Sequence, residues 1–268
     1  MMGDKGAGAS AIAKADAESV TIRGKDLCEE LIGKVDFTDF FFLHLTGRMP
    51  DENQSFFLNA VLVALAEHGL TPSAQAARMT LQAGPDAMQG AVAAGILGCG
   101  SVILGSAEVA GRFYAEGVAR VQAGEDRDTV ARAMVQDLRD RKAFLPGFGH
   151  PVHRPVDPRA EKLLELADKR GASGEHVAFL RAARAVAEEI YGRKLVLNVN
   201  GPLPAILLDL DFPPDALKGI SILCRTAGLI GHCLEELERP IGFRLAHLGD
   251  QGTAYDGGWP EGHPKSGK

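Results

Sequence analysis

Only one stretch of this chain, Lys194 to Asn200 (KLVLNVN), reads as extended, and it is too short to found a sheet. There is no strand–helix–strand alternation and no repeat of fixed period. A chain with no strands to build on must bury its apolar residues between helices, so the fold class is mostly α. The start and stop signals agree with this. Asp51 opens an apolar-rich run to His68, with Gly69 as its stop. Asp126 to Lys142 sets Val130, Met134 and Leu138 along one stripe. Asp157-Pro158 opens a further helix that closes at Gly171, and another runs from about Gly174 to Tyr191 and stops at Gly192. Pro214 or Asp215 opens a last long one, ISILCRTAGLIGHCLEELE, ending before Pro240. The small residues of GAVAAGILGCGSVILGSAEVAG let helices approach closely, in a bundle core or a helical dimer interface.

Composition narrows the function. A length of 268 residues suits one large domain, or a large domain with a smaller companion. A formal charge of −6 argues against a general nucleic-acid binder, so a bound anion must be held by locally placed arginines. Cys28, Cys99, Cys224 and Cys233 have no CxxC spacing and sit in apolar surroundings. They read as reduced core thiols of a cytoplasmic protein, and no metal site is expected. No uncharged apolar run is long enough for a membrane span. The N-terminal MMGDKGAGASAIAKADAES lacks the apolar centre of a signal peptide and reads as a floppy terminus. The Gly-rich end, GDQGTAYDGGWPEGHPKSGK, reads as a loose or partner-draped tail.

Chemistry concentrates in LPGFGHPVHRPVDPRA, Leu145 to Ala160. Gly147 and Gly149 free the backbone to approach a ligand, and Pro146 fixes the entry. His150 follows at once, and Arg159 lies in the first turn of the next helix. A helix N-terminus with an arginine supplies oriented donors for a carboxylate or phosphate. Taken alone, the loop reads equally well as a rigid connection with solvated charges. His68, in AEHG, sits at a helix end, where a histidine is more often a cap than a catalyst. Arg225 and His232 share one face of an apolar helix, and a buried arginine wants an anionic partner. Arg244, in the loop IGFRLAH, is uninformative by itself.

The order AEHG, GFGHPV…DPRA, LNVNG and R-x-x-G-x-I-G-H resembles the citrate synthase superfamily from about Phe40 to Arg244. Within it, LVLNVNG and GLIGH are most like the citryl-CoA lyase module, which occurs alone or as the C-terminal part of ATP-citrate lyase. The resemblance implies a two-domain helical fold. Its large domain would be residues 1–106 and 212–268, and a smaller one, 107–211, would open and close on the ligand. It implies that His68 hydrogen-bonds the substrate carboxylates and that His150 meets the oxaloacetate carbonyl, which is the C3 hydroxyl of citryl-CoA. Arg159, Arg225 and Arg244 would clamp carboxylates, with Arg244 reaching a neighbouring subunit. The backbone of Leu145, Pro146, Gly147, Phe148 and Gly149 resembles the loop that holds the CoA adenine, and Arg154 and Lys194 would meet CoA phosphates. No permanently bound cofactor is implied. The partners would be citryl-CoA, acetyl-CoA, oxaloacetate or citrate, with a second copy of the chain in a homodimer or higher even oligomer.

Two positions depart from the family pattern. Leu104 in VILGSAE stands where citrate synthases carry a second catalytic histidine, which lyase modules also lack. Asn200 in LNVNG replaces the aspartate that shuttles the proton at the acetyl-CoA methyl carbon, and an amide is neither acid nor base. The leading expectation is a citryl-CoA lyase, with activity weakened at Asn200. A citrate- or methylcitrate-synthase-type condensation of an acyl-CoA with a 2-oxo acid is the alternative from the same class. A catalytically impaired CoA- or citrate-binding homologue is the alternative from another.

Overall fold

The computed structural model describes residues 9–100, 103–150 and 153–264. It is mostly helical, as expected. The helices are α1 (Phe37–Thr46), α2 (Glu52–Ala66), α3 (Pro72–Ala83), α4 (Met88–Leu97), α5 (Ser106–Gln122) and α6 (Arg127–Asp140), followed by α7 (Pro158–Lys169), α8 (Glu175–Tyr191), α9 (Pro202–Asp209), α10 (Leu217–Glu238) and α11 (Gly242–Gln251). The chain forms two compact units. One is Met1–Glu67 with Ser101–Cys224, and the other is His68–Gly100 with Arg225–Lys268. This division by packing follows different boundaries from those drawn on motif positions.

Most caps named from sequence are formed, but α2 ends at Ala66 with an extended Glu67 as its C-cap, so it neither runs to His68 nor closes on Gly69. Asp51 and Gln54 make a reciprocal capping box at the start of α2. Asp126 accepts from the Thr129 amide at α6, and Gly192 closes α8 in the left-handed conformation.

In the larger unit, α9 is the centre. Every residue from Pro202 to Leu208 is buried, and α2, α5, α7 and α8 pack around it. Seven successive apolar residues leave this helix no polar face to turn outward, so it is buried on all sides. Close approach depends on glycine where α5 meets α8: a Cβ on Gly117 would lie 2.1 Å from Cζ of Phe179. A second device is Asp209, the last residue of α9. Its carboxylate accepts from the amides of Gly174, His176 and Val177 at 2.7–3.0 Å and from His176 Nδ1 at 2.8 Å, so it caps α8 from a distant part of the chain.

The smaller unit packs α3, α4, α11 and the C-terminal part of α10 around Ala74, Ala77, Leu81, Ala91, Leu229 and Cys233. Arg78 and Glu236 form a buried ion pair at 2.6 Å, and Arg78 also binds Glu235 at 2.6 Å. The other Glu236 oxygen accepts from the amides of Ile241 and Gly242, so the pair also starts α11.

Four expectations are corrected. KLVLNVN is not the only extended stretch, and a small sheet lies near the N-terminus: Ala13–Ala15, Val20–Ile22 and Lys25–Asp26 form antiparallel β1, β2 and β3. Asp16 accepts from the Glu18 and Ser19 amides and closes the β1–β2 turn, so this part of the terminus is not floppy. Lys194–Asn200 contributes a single bridge, Leu197 to Phe148. Arg244 lies in α11, not in a loop, because the first amides of that helix are accepted by Glu236 and Gln82. Cys28 is exposed, in the single π-turn Leu27–Leu31, whereas the other three thiols are buried.

Candidate active site

Within the larger unit the glycine loop and LNVNG are bound to each other backbone to backbone. Gly149 N donates to Val196 O at 2.7 Å, Asn198 N to Gly147 O at 2.9 Å, and Asn198 Nδ2 to Gly149 O at 2.8 Å. Gly147 and Gly149 have φ of 81° and 88°, the region side chains rarely enter. At Gly147 there is no room either: a Cβ would lie 2.7 Å from the Tyr114 hydroxyl and 2.8 Å from Gly201 Cα. Leu145 is buried, while Pro146 and Phe148 are half-buried.

Asp157 fastens this pair of loops to α7. It is fully buried and caps the helix through the Arg159 amide. Its carboxylate also takes Arg159 Nε at 3.1 Å and Nη2 at 2.8 Å, and its Oδ2 takes the Val199 amide at 3.1 Å. Burial pushes its pKa up, but the Arg159 hydrogen bonds and charge outweigh that and hold the carboxyl below its usual range. Arg159 is therefore aimed by Asp157. Its Nη1 protons make no hydrogen bond among the described residues and remain for an incoming anion.

His150 is largely buried, its side chain 8% exposed. Its Nδ1 accepts the His153 amide at 2.9 Å, and its Nε2 lies 3.4 Å from Arg159 Nη2. Both ring nitrogens thus face donors, and a neutral imidazole can accept at only one of them, so the tautomer depends on which of the two contacts is kept. Arg154 is exposed and donates to His150 O at 2.9 Å.

Asn200 is half-buried, and its Nδ2 donates to Ser106 Oγ at 2.8 Å. Leu104 is buried, 5% exposed, and offers no polar atom. Lys194 is exposed, and no described contact joins it to this network. His68, Arg225 and Arg244 belong to the smaller unit. His68 is half-buried just beyond α2, and Arg244 is exposed on α11. Arg225, on α10, is buried, and its Nε makes no hydrogen bond among the described residues.

Asp157, Asn198 and Ser106 were not singled out from sequence as parts of the site. Asp157 reads as an ordinary cap, which it also is. Asn198 and Ser106 carry no local signal, because each acts on a segment far along the chain.

The chain belongs to the citrate synthase family: residues 7–244 match the family's C-terminal domain. Among solved structures it is similar to citryl-CoA lyase from Hydrogenobacter thermophilus. That likeness has 32% identity and a TM-score of 0.83, covering 96% of this chain and 97% of that one. The ATP citrate lyase of Methanothrix soehngenii, solved with citrate and coenzyme A, shares the fold at 24% identity and a TM-score of 0.78 over 94% of this chain and 42% of that one. The citrate synthase of Synechocystis sp. is 28% identical over 83% of this chain and 55% of its own length. The chain spans about half the length of the curated relatives it matches. No helix among the described residues is long and apolar enough to cross a membrane.

Proposed function

We propose that this protein cleaves citryl-CoA, or a closely related 3-hydroxy-acyl-CoA, reversibly to oxaloacetate and acetyl-CoA. One observation carries the reading: the end-to-end likeness to the Hydrogenobacter thermophilus lyase, against half-length likeness to the synthases. Buried, apolar Leu104 supports it, since it cannot donate to a thioester oxygen as the synthase histidine would. In cleavage the C3 hydroxyl proton leaves, the C2–C3 electron pair passes into the thioester enolate, and C2 takes up a proton. Arg159 and Arg225 would fix carboxylates, with His68 and Arg244 completing the clamp. His150, with its ring proton on Nδ1, would accept the C3 hydroxyl at Nε2 and take its proton there. The 145–149 loop, Arg154 and Lys194 would hold coenzyme A. Residues 107–211 would close on the ligand.

The test is oxaloacetate formation from citryl-CoA, followed by coupled reduction to malate. Steady oxaloacetate release, abolished in His150→Ala, is expected. Citrate formation from acetyl-CoA and oxaloacetate, without citryl-CoA cleavage, would instead establish the condensing reading. A second reading rests on Asn200: a protein that binds coenzyme A and citrate without turnover. Calorimetric binding of coenzyme A with no cleavage would establish it.

A further inference from the structure

Ser106 is the first residue of α5, and its hydroxyl has one proton to give. That proton is committed, because Ser106 Oγ lies 2.9 Å from Ile103 O, which can only accept. Toward residue 200 the hydroxyl therefore offers only a lone pair, and at 2.8 Å it receives Nδ2 of Asn200. The opposite flip of the amide would set Oδ1 against that lone pair, so the network selects one orientation. The backbone fixes the same residue from the other side. Asn200 N donates to Asn198 Oδ1 at 3.0 Å, and Gly201 N donates to Asn198 O at 2.9 Å.

We propose that Ser106 is a positioning residue that locks the Asn200 amide with Nδ2 inward, leaving Oδ1 as the acceptor offered to the substrate. In this view Asn200 is not a damaged aspartate, because its surroundings are wired for a donor at that place. An ionised carboxylate there would face a lone pair unless Ser106 turned and abandoned Ile103 O. The inference rests on the lyase reading for its meaning in turnover, but the lock itself is tested without turnover.

Asn-Gly sequences deamidate when the glycine nitrogen bonds to the asparagine Cγ, ammonia leaves, and water opens the resulting ring. Here both participants are held, Gly201 N by Asn198 O and the amide by Ser106. Full-length protein aged at pH 8 and followed by peptide mass spectrometry is expected to keep Asn200. Ser106→Ala should lose it severalfold faster, and Ser106→Thr, which retains the hydroxyl, should behave like the parent. Equal rates in parent and Ser106→Ala, both folded by circular dichroism, would overturn the lock.

The kinetic arm uses citryl-CoA. Ser106→Ala should lower kcat by about three- to tenfold, the worth of one hydrogen bond, with little change in KM. In Asn200→Asp the acid limb of the rate profile should lie at higher pH than in Ser106→Ala/Asn200→Asp, because the lone pair of Ser106 favours the protonated carboxyl. An acid limb at the same or lower pH overturns the wiring. Absence of cleavage in the parent counts against the proposed function, and the deamidation result then still decides the lock.

Discussion

A single side chain, Asp157, joins two pieces of sequence that lie far apart: the start of its own helix α7, through the amide and guanidinium of Arg159, and the amide of Val199. Its folded pKa is depressed, so its stabilising contribution is present above the unfolded value of about 3.9 and is lost as pH falls through the lower folded value. Asp157→Asn is therefore expected to cost about 2–3 kcal/mol at pH 7, the range of hydrogen bonds to charged groups. It should also flatten the fall in stability below about pH 4. Urea unfolding of parent and variant at pH 7 and in acid checks both statements. An unchanged acid slope would show that the carboxylate is not a source of it. Sequence reading recovered half of this residue. Asp before Pro-Arg is a local cap signal, whereas the reach to Val199 depends on how the loops pack.

Helices whose ends are fixed by neighbours in sequence were legible, as at Asp51, Asp126 and Gly192. Where a start is fixed from a distance, the helix α8 was still legible from its apolar pattern, but the device that caps it was not, and α11 was not legible at all. The amides opening α11 are accepted by Glu236 and Gln82, and those opening α8 by Asp209, so no local pattern announces either device. Strands of two or three residues likewise fall below any alternation a sequence displays. The small residues of the middle region were legible, and their purpose is visible at Gly111, where a Cβ would lie 2.4 Å from Leu217 Cδ1; Gly117, just outside that stretch, serves the same end. Gly117→Ala drives a methyl into the fully buried ring of Phe179 and should destabilise by roughly 1–3 kcal/mol, despite the better helix propensity of alanine. Gly90→Ala, on an exposed part of α4 with only ordinary contacts, should instead stabilise by about 0.5–1 kcal/mol. Thermal unfolding of the two variants should shift in opposite directions. A shared sign would remove steric contact as the reason for Gly117.

For the whole molecule, the mostly α class and the order of the motifs were readable, while the number of copies was inferred from Arg244 alone. The structure adds a physical motive. Ile230, Leu234 and Leu237 of α10 are 47%, 56% and 50% exposed at successive turns of one helix, an apolar stripe that a single copy leaves to water. Light scattering is expected to give an even multiple of 28.4 kDa, and Leu234→Arg should reduce the mass without loss of helix. A parent of monomer mass would count against it. The mutual hydrogen bonding of the glycine loop and LNVNG bears on how such a chain can change over time. Gly147 O, Gly149 N and Gly149 O all answer to Val196 and Asn198, and of the three bonds only the one from Asn198 Nδ2 depends on a side chain, so that amide is what an exchanged loop has to keep. The two motifs, far apart in sequence, fold as one clasp, and a chimera that lost Asn198 would keep its main-chain half and lose the side-chain one.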